Sequence, residues 1–200
     1  MNAIYEQFRR PSGPLGWVVG QAMALKNTSR SQWVLQLLAA KPGEQILEVG
    51  FGSGVDVARI LRGVAPGGKV MGIDLSDVMV RMARRRNRRA VTEGRAVLTE
   101  ASVEDLPFAD DQFDAVYSVN CAQFWPDLQA ALAGLYRVTR TGGRAVIAVQ
   151  PRHRGATAAD SQRWRDKLER AAQAAGWRSI ARELGPQRIA VAAVVLEKNH

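Results

Sequence analysis

The chain has 200 residues, 46% of them hydrophobic, enough for one sizeable core and too little for two comfortable domains. One cysteine, Cys121, and two histidines, His153 and His200, exclude an internal disulfide and a Cys/His zinc cluster. The longest apolar stretches, such as residues 190–196, fall far short of the ~20 residues that span a bilayer. The opening MNAIYEQFRRP lacks a signal-peptide apolar region, so a cytoplasmic protein of one domain over 1–200, without a metal, is expected. The net charge of +9 invites a nucleic-acid reading, but it is uneven. Residues 81–100 carry seven arginines against two acids, and residues 101–120 carry five acids and no base. An arginine- and alanine-rich composition also reflects genome bias, which makes the total charge weak evidence of a partner.

In chain order, residues 1–40 stand apart. FRRPSGPLG is a turn-rich segment, followed by helical patterns over 17–25 and 31–38, and together these predict an N-terminal helical cap or lid rather than a second domain. From residue 41 short β-like runs alternate with helical stretches, the pattern of βαβ units and a mostly parallel sheet. Strands are predicted at 45–49, 69–73, 96–99, 113–119 and 145–149, rich in Val, Ile and Leu as strands buried on both faces should be. Helices are predicted at 54–62, 77–89 and 128–139, the second opened by Ser76 as N-cap. A helix at 161–175 then leads to strands at 177–183 and 188–196, which pair antiparallel across LGPQ. The expectation is an α/β fold with a seven-stranded Rossmann-like sheet.

The chemistry concentrates in ILEVGFGSGVD. Gly50, Gly52 and Gly54 fall between the first strand and its helix, where the backbone approaches a ligand and the helix offers free N–H groups. A dinucleotide site would read G-x-G-x-x-G. Here the third glycine comes one residue early, which argues against NAD. Asp74 ends the second strand, from where a carboxylate grips two ribose hydroxyls. Glu48 beside the turn would repel a pyrophosphate and suits a cationic ligand. A positively charged nucleoside satisfies all of these.

With EVGFGSG, GIDLS, ASVEDLPFADDQFD and RVTRTGGRAVIAV, the chain from about residue 41 to 149 resembles the class I S-adenosylmethionine-dependent methyltransferases. Within them it is similar to the small-molecule branch that includes the ubiquinone and menaquinone C-methyltransferases. The resemblance implies strand order 3-2-1-4-5-7-6 with the last strand antiparallel, and S-adenosylmethionine lying across the carboxyl ends of strands one, two and four and leaving as S-adenosylhomocysteine. It implies that Glu48 and the Gly50/Gly52/Gly54 turn hold the methionine part, Asp74 the ribose, and Leu75 the adenine face. Ser102 stands where relatives often carry an Asp against the adenine amino group, with Val103 beside it. Asn120 would line the methyl site, and Gln123-Phe124-Trp125 replaces a His-His-Trp-like run, so that Gln123 removes a possible base.

The sulfonium is already activated, and methyl transfer to a small-molecule acceptor is an in-line displacement needing mainly positioning and a dry pocket. His153 after the fifth strand and Tyr5 in the lid are the candidate catalytic side chains, each with a plain structural alternative. Cys121 reads as a small buried residue rather than a nucleophile. Trp17, Met23, Trp33, Phe124 and Trp125 are candidates for an apolar acceptor pocket, with core packing as the alternative. Two other functions stay open: an RNA methyltransferase using the basic surface, and a non-catalytic S-adenosylmethionine-binding protein. RMARRRNRRA presents arginines all round a helix, as a solvated surface helix also does, and no Asn/Asp-Pro-Pro-aromatic tetrad follows the fourth strand, only NCAQ.

Overall fold

The computed structural model describes Gly13, residues 28–187 and residues 189–199. Tyr5, Trp17, Met23, His200 and most of the expected cap lie outside the described residues. Seven strands form one sheet: β1 (Gln45–Val49), β2 (Lys69–Asp74), β3 (Ala96–Glu100), β4 (Phe113–Val119), β5 (Thr139–Val149), β6 (Arg178–Leu184) and β7 (Ala192–Glu197). Their order is 3-2-1-4-5-7-6. The first five run parallel, and β7 lies antiparallel to both β5 and β6.

Helices α1 (Thr28–Leu38), α2 (Val55–Gly63), α3 (Asp77–Arg86) and α4 (Arg88–Thr92) cover one face, where Val34, Leu38, Val57, Ile60, Val80 and Ala83 join one apolar cluster. The other face is covered by α5 (Leu128–Val138) and α6 (Ala158–Ala174), with Leu132, Leu135, Leu168 and Trp177 in the second cluster. The central strands are apolar on both sides because both faces are covered. Arg144 of β5 ties the end of α1 to the sheet: its Nε donates to Leu38 O (2.6 Å) and its terminal nitrogens reach both Glu44 carboxylate oxygens (2.8 Å each).

Most boundaries shift from the sequence reading by one to three residues, and three larger or structural differences have a clear physical cause. The helix expected over 77–89 breaks at Asn87, whose Nδ2 donates both to Ala83 O and to Gly54 O (2.9 Å each), pinning α3 to the start of α2. Replacing Asn87 by alanine leaves those buried carbonyls short of a donor and should cost about 1–3 kcal/mol of stability in denaturant unfolding. Strand β5 begins at Thr139 rather than 145, because Thr139 pairs with Phe113 ahead of an irregularity in β4 and Arg140 reaches Asp114 (2.6 Å). The last strand starts at Ala192 rather than 188, since Gly185 N–H closes on Val191 O (2.9 Å) ahead of it.

Candidate functional site

The carboxyl ends of β1, β2 and β4 open onto a cleft of about 220 Å³. Its floor begins with the turn after β1. Gly50 N–H donates to Ile73 O (2.8 Å), holding the turn against the end of β2, and Gly54 N–H donates to Phe51 O (3.0 Å). The three glycines serve different ends. A Cβ on Gly50 would lie 2.5 Å from Cys121 Sγ, so this glycine lets the loop after β4 approach. Gly52 has φ +53° and nothing within 4 Å of where a Cβ would stand, leaving its backbone open to the cleft. Gly54 does not line the cleft; a Cβ there would meet Ala83 and Asn87 of the neighbouring helix at 2.7–2.9 Å.

Two carboxyl groups define the electrostatics. Asp74 Oδ2 accepts from Gly52 N–H (2.8 Å) and Oδ1 from Ser76 N–H (3.0 Å), which spans the two turns with one side chain. Burial nonetheless pushes its carboxyl up to about 6, against the pull of those hydrogen bonds. Glu48 is 4% exposed, and its Oε2 has no hydrogen-bond partner. Burial raises its carboxyl well above the ordinary range, and Asp56 and Asp74 add like charge. A buried carboxyl with one oxygen left without a protein partner ionises favourably when a cation is placed beside it.

The far wall comes from the loop after β4. Asn120 adopts φ +55°; its Oδ1 accepts from Gln150 N–H (2.7 Å), leaving a buried Nδ2 without a partner. Trp125 Nε1 donates to Cys121 Sγ (3.4 Å), and burial pushes the Cys121 thiol up to about 12, so it remains a thiol at neutral pH. Leu75 remains 36% exposed although apolar, and lines the cleft together with Ser102 and Val103.

Of the residues singled out from sequence, Glu48, Gly50, Gly52, Asp74, Leu75, Ser102, Val103, Asn120, Phe124 and Trp125 meet in this one cleft. Gln123, in the 3-10 turn Ala122–Phe124, is not among the residues that line it, and its Oε1 is buried without a hydrogen-bond partner. Trp33 packs into the core against Gly185. His153 lies in a separate surface depression, its side chain 60% exposed and Nε2 3.5 Å from Asp160. The sequence reading missed Met79, Asp56 and Arg30. Met79 was signalled by the Ser76 cap, which turns the first turn of α3 toward the cleft (Met79 N–H to Ser76 Oγ, 3.3 Å). Arg30 had no such signal, because its neighbour Gln150 lies 120 residues away.

Residues 47–147 match the family model described as a methyltransferase domain. The chain belongs to this methyltransferase family. It is 31% identical over 163 residues to the uncharacterized methyltransferase YdaC of Bacillus subtilis, covering 82% of this chain and 87% of that one. It is 30% identical over 116 residues to the ubiquinone/menaquinone biosynthesis C-methyltransferase UbiE of Vibrio vulnificus, spanning 58% of this chain and less than half, 45%, of that enzyme. The methyltransferase also superposes on the crystal structure of a SAM-dependent methyltransferase from Aquifex aeolicus with TM-score 0.68 at 19% identity, covering 83% of this chain and 88% of that one. The class I fold and S-adenosylmethionine as methyl donor follow for this methyltransferase. The unpaired Glu48 oxygen, the open backbone at Gly52 and the Leu75 rim fit a cationic nucleoside. Among the described residues no group of three or more His, Cys, Asp or Glu could hold a metal ion, and no helix is long and apolar enough to cross a membrane.

Proposed function

We propose that this methyltransferase alkylates a small-molecule acceptor by in-line displacement. The observation that carries the reading is the end of the cleft at Asn120, Phe124 and Trp125: a confined, partly apolar pocket beside an acidic cation receptor. When bound, S-adenosylmethionine supplies an activated methyl group on a sulfonium. In this reading Glu48 holds the cationic amino-acid end, Asp74 accepts from the ribose hydroxyls, and Leu75, Ser102 and Val103 enclose the base. Asn120 lines the methyl site, and Phe124 and Trp125 keep water out.

Among the described lining residues the Cys121 thiol stays protonated and no histidine is present. The preferred acceptors are therefore groups that lose their own proton or need not lose one before attack, such as thiols, phenols and amines. The arginines of α3 and α4 support a small acceptor over RNA. Arg84 donates to Leu98 O (2.8 Å) and Arg86 to Ser53 O (2.9 Å), while Arg81 and Arg89 form exposed pairs with the neighbouring Asp77 and Glu93, so part of the basic run is occupied by the fold.

Incubation with methyl-labelled donor and a panel of thiols, phenols, quinols and amines, beside tRNA and rRNA, tests this. Label in a small molecule is expected, and label in RNA alone would overturn the reading. Donor-site binding should also depend on pH. Asp74 accepts hydroxyl donors best when ionised, and its proton is held up to about pH 6. Affinity for S-adenosylhomocysteine should therefore rise from pH 5 to a plateau above 7, by about tenfold. The raised Glu48 carboxyl acts in the same direction. Calorimetric titration across that range should give a flatter profile for Asp74→Asn.

A further inference from the structure

Arg30, in the first turn of α1, is 3% exposed and lines the cleft. One terminal nitrogen, Nη1, donates to the Gln150 side-chain oxygen, and Gln150 is itself fixed, its Nε2 donating to Ile189 O (2.6 Å). The guanidinium is thus held in one orientation while Nε and Nη2 have no partner. Those two nitrogens form the side edge of the guanidinium plane, the edge that takes a carboxylate or phosphate through two parallel hydrogen bonds. The nearby acid does not fill the role: Asp56 is bound by Arg59 (2.7 Å) and by the Tyr117 hydroxyl (3.3 Å). Burial, with Arg152 adding like charge, lowers the Arg30 guanidinium to about 10, so at neutral pH it remains a cation with two buried donors to satisfy.

Its anchor, Gln150, lies on the β5 side of the cleft. Of the acids of the cleft, Glu48, Asp74 and Glu104 border the ends of β1 and β2 and the loop after β3, and Asp56, close to Arg30, is already engaged by Arg59 and Tyr117, whereas Gln150 follows β5, beyond β4. Past Gln150 the surface depression is lined by Arg152, His153 and Arg154 with no carboxylate among its described residues. Basic side chains therefore mark the β5 side of the cleft and the depression beyond it.

We propose that the Nε/Nη2 edge of Arg30 binds a carboxylate or phosphate carried by the methyl acceptor. The inference rests on the small-molecule methyltransferase reading. It makes Arg30 a specificity-determining residue and the Arg152–Arg154 depression the approach path.

The test uses protein saturated with S-adenosylhomocysteine, whose own carboxylate then already has its place, titrated with benzoate and with inorganic phosphate as probes. Saturable binding of at least one probe is expected, weakened about tenfold or more by Arg30→Met, partly restored in Arg30→Lys, and reduced a few-fold by the exposed-site variant Arg152→Ala. Absence of probe binding to the loaded wild-type protein would overturn the proposal. So would an Arg30→Met variant that loses S-adenosylhomocysteine but keeps 5′-methylthioadenosine, which lacks the amino-acid end, because Arg30 would then serve the donor carboxylate. The probes require no turnover, so a failure of the small-molecule reading registers separately, as label appearing only in RNA in the acceptor panel.

Discussion

Asp74→Ala is expected to weaken binding of S-adenosylhomocysteine about ten- to hundredfold, the range for losing hydrogen bonds to a charged acceptor. The same loss should be seen with adenosine, which has the ribose but no amino acid. Glu48→Gln, by contrast, should weaken S-adenosylhomocysteine and spare adenosine, which separates the two carboxylates by the part of the ligand each meets. The fold should survive Asp74→Ala because two effects oppose. The variant leaves the buried N–H groups of Gly52 and Ser76 without their acceptor. Against that, the Asp74 carboxyl titrates at about 6 in the folded protein, above the 3.8 of the free group. A carboxyl raised on folding contributes stability below the unfolded value and loses it as pH rises through the folded one. At neutral pH its ionised form therefore costs about 3 kcal/mol, and its removal offsets much of the lost hydrogen bonding. Calorimetry for affinity and thermal melting of the ligand-free variant check the two halves separately.

Gly54→Ala should act oppositely, on stability first. Gly54 has φ +74° and caps α2, and an added Cβ would meet Ala83 Cβ at 2.7 Å and Ala83 Cα at 2.9 Å. The Ala83 backbone belongs to α3 and cannot swing aside as a flexible side chain would. Overpacking of about 1–3 kcal/mol and left-handed backbone strain of about 1–2 kcal/mol add to about 2–5 kcal/mol. For a chain of this length the melting temperature should fall by roughly 5–15 °C. Gly52→Ala, with open space at its Cβ position, should melt much closer to wild type and lose ligand affinity instead. A melting curve and a titration on each variant distinguish a packing glycine from a ligand-facing one within a single turn.

That distinction shows where sequence reasoning ran out. The spacing of Gly50, Gly52 and Gly54 pointed to a nucleoside turn, but which of them lines the cleft depends on α3, some thirty residues later. Strands β1 and β4 were legible to the residue, because apolar runs buried on both faces have sharp polar edges. The break at Asn87 was not, since RMARRRNRRA is continuous in helix propensity and the break comes from a bond to Gly54 O. The cleft was legible because Glu48, Asp74 and Asn120 each lie at or next to the carboxyl end of a strand, and parallel strands bring those ends together. Gln123 falls in a 3-10 turn that no pattern announces, and it is not among the residues lining the cleft. Arg30 became visible only when α1 packed beside β5, bringing its side chain to Gln150.

The most direct test of the account is a calorimetric titration of the wild-type protein with S-adenosylhomocysteine at pH 7.5, with NAD as comparator. Saturable binding of S-adenosylhomocysteine at one site per chain and no binding of NAD is the predicted result. Binding of NAD, or of neither ligand, would contradict the reading of the glycine turn, of Glu48 and of Asp74 together.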